Sequence, residues 1–338
     1  MSKGASSGQG PEPTTIVGVD VGGTKVSVAT LRGGNFGEPR IAPTAHGSTE
    51  QFIGEVVHAV HAAAGGDLAA VGIGVPSVIE FATGRVRTTV NIPVLQDVPL
   101  RHVLEGELDV PVFVDNDATV AALAEAHDEH AGLDAGCLVM ITLGTGVGGG
   151  IVIGGRPYRG ATGAAGEIGH TLIGIEHEIP AATDHFPQPG SLESLAAGHA
   201  LDGLARAAAS RQPDSALGAL LRERGSVNGV DAVIAAQAGD RVAVELLALL
   251  GRRVGIGIAN AINTFDPDVV AIGGGVSSAG DLLLAPAKDV AWQYVREGVG
   301  TKTEIRLARS GPQAGVRGAA LLARSELEAH HHEEKEPR

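Results

Sequence analysis

One pattern occurs twice in this sequence: an apolar strand, a glycine-rich turn and a second apolar strand follow one another directly. The first copy has its turn at residues 21–25, and the second has its turn at residues 144–150. Each copy predicts a β-hairpin, because the flanking segments are short, apolar and rich in β-branched residues. The parallel placement of the glycines predicts an internal structural duplication, with one hairpin in each of two lobes.

The other periodic segments alternate between strands and helices, which indicates an α/β protein with parallel sheet at its centre. The chain has 338 residues, which suits two domains with a cleft between them. Further strands are predicted at residues 69–75, 110–114, 269–272 and 304–307. Helices are predicted at residues 49–63, 118–131, 281–296 and 315–327, and most of 191–263 is also predicted to be helical.

Charge and cysteine content argue against several kinds of partner. The formal net charge of −14 argues against nucleic acid, because phosphate contacts need clustered Lys and Arg side chains. The single cysteine, Cys137, rules out a disulfide within the chain and predicts a reducing, cytoplasmic location. No segment is long and apolar enough to span a membrane, so no membrane partner is predicted.

Three loops join strand ends to small residues, and their composition suits phosphate groups. Glycine lets main-chain N–H groups approach an anion without an intervening Cβ, and threonine and lysine add further donors. Asp20 adds a carboxylate suited to Mg²⁺, bound directly or through water. Two such turns facing each other across a cleft predict a clamp for a triphosphate. The candidate phosphate-binding residues are Asp20, Gly22, Gly23, Thr24, Lys25, Gly144, Thr145, Gly146, Gly273, Gly274 and Gly275.

The glycine loops differ from two other phosphate-binding patterns. A Walker A loop is excluded because no Gly-x-x-x-x-Gly-Lys-Ser/Thr occurs in the chain. Residues 144–149 match the dinucleotide pattern Gly-x-Gly-x-x-Gly, but that pattern needs a helix directly after it. Residues 150–155 read as a strand and a turn, so the match is interpreted as false. The remaining alternative is that the glycines only form tight turns.

A polar cluster follows the predicted strand at residues 110–114, immediately before a predicted helix. Ligands gather at strand ends of this kind in α/β sheets. Asp117 is placed to take a proton from an attacking hydroxyl group, and Asn116 is placed to hydrogen-bond a neighbouring hydroxyl. The alternative is that Asp115, Asn116 and Asp117 only provide the N-cap of the helix.

A second polar cluster contains Glu167 and His170, three residues apart, and Glu193 supplies another acidic group further along the chain. Binding of a polyol needs this inventory, because carboxylates accept hydrogen bonds from vicinal hydroxyls and imidazoles donate to them. Taken singly, such a histidine is more often structural, and a glutamate near a helix start is more often a cap. The combination of the three groups favours a sugar site.

These motifs resemble the ROK family of bacterial sugar kinases and regulators, within the actin-like ATPase superfamily, from about residue 16 to about residue 322. Residues 20–25 resemble the family's first phosphate loop, residues 144–150 its second, and residues 269–276 its adenosine-contacting strand and loop. The resemblance makes Asp117 the catalytic base. It implies sugar contacts by Asn91, Asn116, Asp117, Glu167, His170 and Glu193.

The resemblance also implies the architecture, which is an α/β, two-lobed actin-like ATPase (ribonuclease H-like) fold with an internal duplication and an interdomain cleft. The expected small domain comprises residues 14–117 and is joined by a C-terminal helix at residues 313–328. The expected large domain comprises residues 118–312. Residues 1–13 and 329–338 are expected to be disordered tails.

The activity that the resemblance implies is transfer of the γ-phosphoryl group of ATP to the 6-hydroxyl of a hexose, with Mg²⁺ as cofactor and glucose as the favoured acceptor. Fructose, mannose or an N-acetylhexosamine are alternative acceptors, and a non-catalytic sugar sensor is an alternative of a different class. Polyphosphate ranks below ATP as donor, because an acidic chain is a poor host for a polyanion. The family further implies self-association to a dimer or tetramer.

One family motif is missing from this chain. Many ROK proteins carry a zinc motif, Cys-x-Cys-Gly-x-x-Gly-Cys-x-Glu, and residues 185–193 keep its Gly and Glu but none of its cysteines. A thiolate zinc site is therefore excluded. His177, Asp184 and His185 remain as an alternative ligand set, although loop residues without a metal are favoured. The loop is expected either to be held by its prolines and packing or to become ordered when sugar binds.

Overall fold

Two β-sheets with helices on both of their faces form the framework of this protein. The structure, a computed structural model, describes residues 14–89, 92–174 and 183–333. The elements up to residue 116 are β1 (Thr15–Val21), β2 (Lys25–Arg32), β3 (Asn35–Phe36), β4 (Arg40–Pro43), α1 (Thr49–Ala64), β5 (Leu68–Val75), β6 (Ser77–Glu80), β7 (Arg85–Thr89), α2 (Leu100–Leu108) and β8 (Val112–Asn116). The later elements are α3 (Asp117–Glu125), β9 (Cys137–Leu143), β10 (Val147–Ile153), β11 (Arg156–Pro157), α4 (Leu192–Ala196), α5 (Gly198–Arg211), α6 (Ala216–Arg224), α7 (Gly229–Gln237), α8 (Arg241–Phe265), β12 (Val269–Gly273), α9 (Asp281–Tyr294), β13 (Glu304–Leu307) and α10 (Ala314–Glu333).

The two sheets have the same topology. The strand order is β3-β2-β1-β5-β8 in the first sheet, where β4 also pairs with β2, and β11-β10-β9-β12-β13 in the second. In each sheet an antiparallel hairpin, β1–β2 or β9–β10, is followed by two parallel strands. The predicted duplication and the predicted α/β fold are therefore confirmed.

Helices α3 and α10 lie between the two sheets. Their apolar side chains share one core cluster with residues of the first sheet, such as Ile16 and Phe113, and of the second sheet, such as Leu138 and Ala271. The opposite face of the first sheet packs on α1 and α2, and the opposite face of the second sheet packs on the helices from α4 to α9. The order of layers is therefore helix, sheet, helix, sheet, helix, and α3 and α10 belong to the middle layer.

Two predicted boundaries are wrong. The helix predicted at residues 118–131 ends at Glu125, because the chain then forms a turn in which the Asp128 carboxylate accepts hydrogen bonds from backbone N–H groups. The tail predicted at residues 329–338 is partly helical, since α10 continues to Glu333 through residues that are compatible with a helix.

Several short elements were not predicted: β3, β4, the hairpin of β6 and β7, and α2. Helix α2 begins after Pro99 and has no side-chain hydrogen bond at its N-cap, so the usual start signal is absent from the sequence. Within the described ranges, no helix combines the length and the apolar character that crossing a bilayer would require.

Candidate active site

The second glycine turn and the end of β1, just before the first glycine turn, border a cavity of about 600 Å³ between the sheets. The cavity lies at the carboxyl ends of β1, β8, β9 and β12, which is where ligands bind in sheets of this kind. Residues that are far apart in the sequence therefore meet at one place. Of the predicted site residues, the cavity is lined by Asp20, Asn116, Asp117, Gly144, Thr145, Gly146, Glu167, Glu193 and Gly274.

Asp117 is the first residue of α3 and lines this cavity. Burial raises the pKa of its carboxyl group, and a 2.8 Å hydrogen bond from the Ala118 N–H to Oδ1 lowers it in part. The net effect is a raised pKa, because burial disfavours the charged form. A carboxylate with a raised pKa that lines a cavity is suited to accept a proton from a hydroxyl group.

Asp20 lies near the end of β1 and lines the same cavity. Its pKa is raised from 3.8 to about 6, first by burial and then by the negative charge of Asp117, while Lys25 counteracts part of the increase. Mg²⁺ is commonly held by one or two carboxylates together with the phosphates of a substrate. Asp20 supplies one such carboxylate, and a cation beside it would offset the negative charge of Asp117, which adds to the effect of burial on the pKa of Asp20.

The first glycine turn is fixed by hydrogen bonds to the chain that follows β4. The Thr44 hydroxyl donates to the Gly22 carbonyl at 2.7 Å, and His46 Nε2 lies 2.8 Å from the Gly23 carbonyl oxygen. Lys25 and Thr24 are exposed. Of the loop predicted to bind phosphate, from Asp20 to Lys25, only Asp20 lines the cavity.

The second glycine turn rests on the side chain of Glu193. Its Oε2 atom accepts a hydrogen bond from the Val147 N–H at 2.8 Å, and the carboxylate fills the space that a Cβ would need at Gly146. Glu193 is the second residue of the short helix α4. The next helix, α5, is joined to the turn by a 2.8 Å hydrogen bond from the Gly198 N–H to the Gly144 carbonyl. Glu193 therefore lines the cavity and also supports the turn.

The third loop borders a second cavity of about 590 Å³. The two cavities share Gly144 and Thr145, so they adjoin at the second glycine turn. Gly273 ends β12, Gly274 lines the first cavity, and Gly275 lines the second. Val276, in the predicted adenosine-contacting segment, lines the second cavity as well. The rest of this lining comes from helix surfaces and was not predicted. It includes His199, Leu201, Asp202, Val233, Ile234 and Gln237.

Asn116 is the N-cap of α3. Its Oδ1 atom accepts hydrogen bonds from the N–H groups of Ala118 and Thr119 at 2.9 and 3.3 Å, and its Nδ2 atom donates to the Ser77 carbonyl at 3.1 Å. The N-cap alternative is therefore correct for Asn116. Its role as a sugar ligand stays a prediction. The second N–H of Nδ2 is available to donate a hydrogen bond to a sugar hydroxyl.

Glu167 and His170 lie next to each other at the edge of the cavity. Glu167 Oε2 is 3.5 Å from His170 Nε2, and Glu167 alone of the two lines the cavity. The other ring nitrogen of His170, Nδ1, is buried and has no hydrogen-bond partner in the described structure. The Phe186 ring packs edge-on against the imidazole with a centroid distance of 5.2 Å. This contact fixes one side of the imidazole.

The loop that lacks the cysteine motif is held at both described ends by main-chain hydrogen bonds. Ile173 N–H donates to the Gly190 carbonyl, and Leu192 N–H donates to the Thr171 carbonyl, each at 2.9 Å. Among the described residues, no group of three or more His, Cys, Asp or Glu side chains could hold a metal ion. Two sequence-predicted candidates lie outside the described residues. They are Asn91 and His177.

The cavity wall that is formed by the start of α10 was not predicted from the sequence either. Gly311, Pro312, Ala314 and Gly315 line the cavity, and a Cβ built on Gly315 would lie 2.5 and 2.6 Å from the two carboxylate oxygens of Asp20. A Gly-Pro pair between a strand and a helix marks a turn, but it does not indicate proximity to Asp20. Close approach of the helix start to a carboxylate is the structural reason for glycine at this position.

The loop before α10 is anchored to α3 by a buried carboxylate. Glu125, the last residue of α3, accepts hydrogen bonds from the N–H groups of Arg309 and Ser310 at 2.9 and 2.7 Å. It also forms an ion pair with Arg306 at 2.6 Å. The loop that lines the cavity is therefore fixed to the middle layer.

Known proteins match this chain along almost its whole length. The pattern of the ROK family matches residues 16–326. A glucokinase from Halalkalibacterium halodurans is 36% identical over 318 residues, which are 92% of this chain and 95% of that relative.

Solved structures agree with the sequence matches. A ROK hexokinase from Thermus thermophilus has a TM-score of 0.77 at 34% identity, covering 93% of this chain and 100% of that chain. A ROK family glucokinase from Streptomyces griseus, in complex with glucose and AMPPNP, has a TM-score of 0.73 at 33% identity, covering 92% and 99% of the two chains. The duplicated sheets and the cleft between them define a protein of the two-lobed actin-like ATPase fold. The chain belongs to the ROK family, in a form without the zinc-binding cysteine motif.

Proposed function

We propose that this protein is an ATP-dependent hexose kinase, with glucose as the favoured acceptor. One observation carries the proposal: Asp20 and Asp117, two carboxylates with raised pKa values, line one cavity beside the second glycine turn. The complex of the Streptomyces griseus glucokinase with glucose and AMPPNP, an analogue of ATP, supports this pair of substrates.

Asp117 is the proposed general base. It accepts the proton of the sugar 6-hydroxyl while that oxygen attacks the γ-phosphorus, and the bond from phosphorus to the β,γ-bridging oxygen breaks. Its position at the start of α3 fixes the carboxylate against the helix N-terminus, where the Ala118 N–H orients it. A raised pKa makes it a stronger base than an exposed aspartate.

Asp20 is the proposed ligand for Mg²⁺, either directly or through water. When bound, the ion would neutralise negative charge on the phosphate oxygens of the nucleotide. The structural contribution of this chain is the position of the carboxylate. Asp20 is held at the cavity by β1 on one side and by the start of α10 on the other, where Gly315 leaves room for it.

The two adjoining cavities suit the two ends of ATP. The cavity with the carboxylates would receive the triphosphate, and the second cavity, whose lining includes the apolar side chains of Leu201, Val233 and Ile234, would receive the adenosine. Gly144 and Thr145 lie at the junction, where glycine gives the nucleotide backbone access to main-chain N–H groups. Glycine residues 273–275 would border the nucleotide from β12.

The proposed hexose site lies on the other side of Asp117. Glu167, His170 and Glu193 come from the second lobe, and Asn116 lies at the end of the first sheet. Together with the predicted ligand Asn91, they would present acceptors and donors to the hydroxyl groups of a sugar.

A coupled assay of ADP release with Mg·ATP and a panel of hexoses tests the proposal. We expect release that depends on glucose and occurs without added zinc. Activity on mannose, fructose or an N-acetylhexosamine in place of glucose would keep the mechanism and change the substrate. If ATP binds but no sugar increases ADP release, the kinase proposal is wrong and the sugar-sensor alternative is favoured.

Replacing Asp20 with Asn should stabilise the ligand-free protein at neutral pH, and the gain should decrease as the pH falls from about 6 to about 4. The folded protein raises the pKa of Asp20 to about 6, so the unfolded chain releases this proton at lower pH than the folded one. Stability is therefore lost as the pH rises from about 4 to about 6, and Asn abolishes the loss. We expect the variant to be more stable by at most about 3 kcal/mol at pH 7.5.

Urea unfolding of both proteins at pH 4 and pH 7.5, without nucleotide, measures this difference. The gain should fall to about 0.5 kcal/mol at the lower pH, because Asp20 is then still protonated in the folded state and only about half ionised in the unfolded chain. An equal difference at the two pH values would show that the charge on Asp20 is not its source.

A further inference from the structure

Arg159 connects three parts of the chain behind the proposed catalytic base. It follows β11 in the second sheet, and its Nε atom donates to Asp115 Oδ2 at 2.7 Å. Its Nη2 atom donates to Glu326 Oε1 on α10 at 3.0 Å. The side chain of Arg159 is 18% exposed and that of Asp115 is 4% exposed, so this is a buried ion pair between the two lobes.

The guanidinium of Arg159 also stacks on an aromatic ring of the first lobe. Its Cζ atom lies 3.4 Å from the centroid of the Phe81 ring, which belongs to the turn between β6 and β7. Arg101 of α2 lies 5.4 Å from the same centroid and donates to the Phe81 carbonyl at 2.7 Å. The position of Arg159 is therefore fixed by two carboxylates and by a ring that is itself anchored.

Asp115 links Arg159 to the catalytic segment through hydrogen bonds on both of its carboxylate oxygens. Its second oxygen, Oδ1, accepts a hydrogen bond from the Asn116 N–H at 2.9 Å, and Asp117 is the next residue. Burial raises the pKa of Asp115, and the charge and hydrogen bonds of Arg159 lower it in part. Without Arg159, the buried carboxylate of Asp115 would lose its one ion-pair partner among the described residues, and such carboxylates reorganise or become protonated.

The other end of the connection is the segment that carries the proposed sugar ligands. The Ala165 N–H donates to the Arg159 carbonyl at 3.0 Å, which closes the loop just before Glu167 and His170. Residues on this loop therefore share one anchor with Asn116 and Asp117, although the two groups belong to different sheets.

We infer that Arg159 is a positioning residue that couples the hexose-binding loop at residues 160–170 to the catalytic segment at residues 115–117. The inference rests on the proposed kinase function. Arg159 does not line the cavity, so it acts through Asp115 and through its own main chain. The hexose-binding loop and the carboxylate that receives the hydroxyl proton are thereby held in a fixed relative position.

Kinetics of Arg159→Met, compared with the wild type, test the coupling. We expect kcat/KM for the hexose to fall about 10²-fold, because a displacement of about 1 Å at the reacting groups costs that much. The KM for Mg·ATP should change by no more than about twofold, since binding of the nucleotide is not altered. Arg85→Met is the matched control. Arg85 and its ion-pair partner Asp97 both lie in the first lobe, and neither lines the cavity. This control should behave as the wild type does.

A double variant separates positioning from general loss of structure. In Arg159→Met with Asp115→Asn, the unpaired buried charge is gone, and Asn can still accept from the Asn116 N–H. We expect this variant to recover about tenfold of the lost kcat/KM, and Arg159→Lys to lie between wild type and Arg159→Met. If Arg159→Met fails to fold, the lysine and double variants carry the same comparison.

Hydrogen exchange of the ligand-free proteins supplies a readout without catalysis. We expect faster exchange in Arg159→Met for peptides covering residues 113–119 and 159–170, with peptides of α8 unchanged. Unchanged exchange in both peptides, or hexose kinetics equal to the wild type, would overturn the inference while leaving the proposed function intact. A wild type that is inactive on every hexose would overturn the proposed function, and the exchange experiment would still decide whether Arg159 connects the two segments.

Discussion

Replacing Asp117 with Asn should lower kcat for hexose phosphorylation by about 10² to 10⁴-fold, which is the usual contribution of a general base. Asparagine has the same shape and can still accept a hydrogen bond from the Ala118 N–H, so the start of α3 should be preserved. It cannot accept a proton. The hexose dissociation constant should change much less than kcat, because the other proposed sugar ligands are intact.

The comparison needs kcat from the coupled assay and hexose affinity from calorimetry. Asp214→Asn is a suitable control, since Asp214 is exposed and lies before α6, outside the cavity. Near-normal turnover of a folded Asp117→Asn protein would remove Asp117 from the role of base. A loss of hexose affinity with kcat unchanged would instead make it a binding residue.

Replacing Gly315 with Ala should lower kcat/KM for Mg·ATP by about 10²-fold while leaving the protein folded. The added Cβ would lie 2.5 Å from Asp20 Oδ1 and 2.6 Å from Oδ2, which is too close for non-bonded atoms. The carboxylate therefore has to rotate away from its place in the cavity. Alanine favours a helix over glycine by about 1 kcal/mol, so thermal stability should be unchanged or higher.

This opposite behaviour of activity and stability is the diagnostic result. Gly54→Ala is the matched control, because Gly54 lies in α1 and a Cβ there has nothing within 4 Å. It should increase the melting temperature and leave the kinetics unchanged. Full activity of Gly315→Ala would show that the position of Asp20 is not critical. A large loss of stability would instead show that the start of α10 carries the packing.

The sequence was sufficient for the parts of the fold that depend on local pattern. The hairpins around the two glycine turns, the strand before Asp117 and the long helices after Ser191 follow from the periodicity of apolar side chains. The repeated pattern also predicted the duplication, because a hairpin with the same turn in each half implies the same sheet in each half. Self-association to a dimer or tetramer stays a prediction.

Contacts between distant segments could not be predicted in this way. Nothing in the residues around Arg159 indicates that it pairs with Asp115, and nothing near Gly315 indicates that it touches Asp20. Asn116 does carry a sequence signal, but the signal has two meanings. An asparagine between a strand and a helix is typical of both a ligand and an N-cap. The site is formed by residues from both sheets and from the middle layer, so its geometry depends on the three-dimensional structure.

The location of α10 in the middle layer has a consequence for biosynthesis. This helix is translated after every other element described, yet it packs on β1 and β5, which are translated early. An emerging chain can form both hairpins early, but the wall beside Asp20 is missing until Gly315 has left the ribosome. Nascent protein would thus be unable to consume nucleotide, and products of premature termination would expose the apolar faces of both sheets to chaperones and proteases.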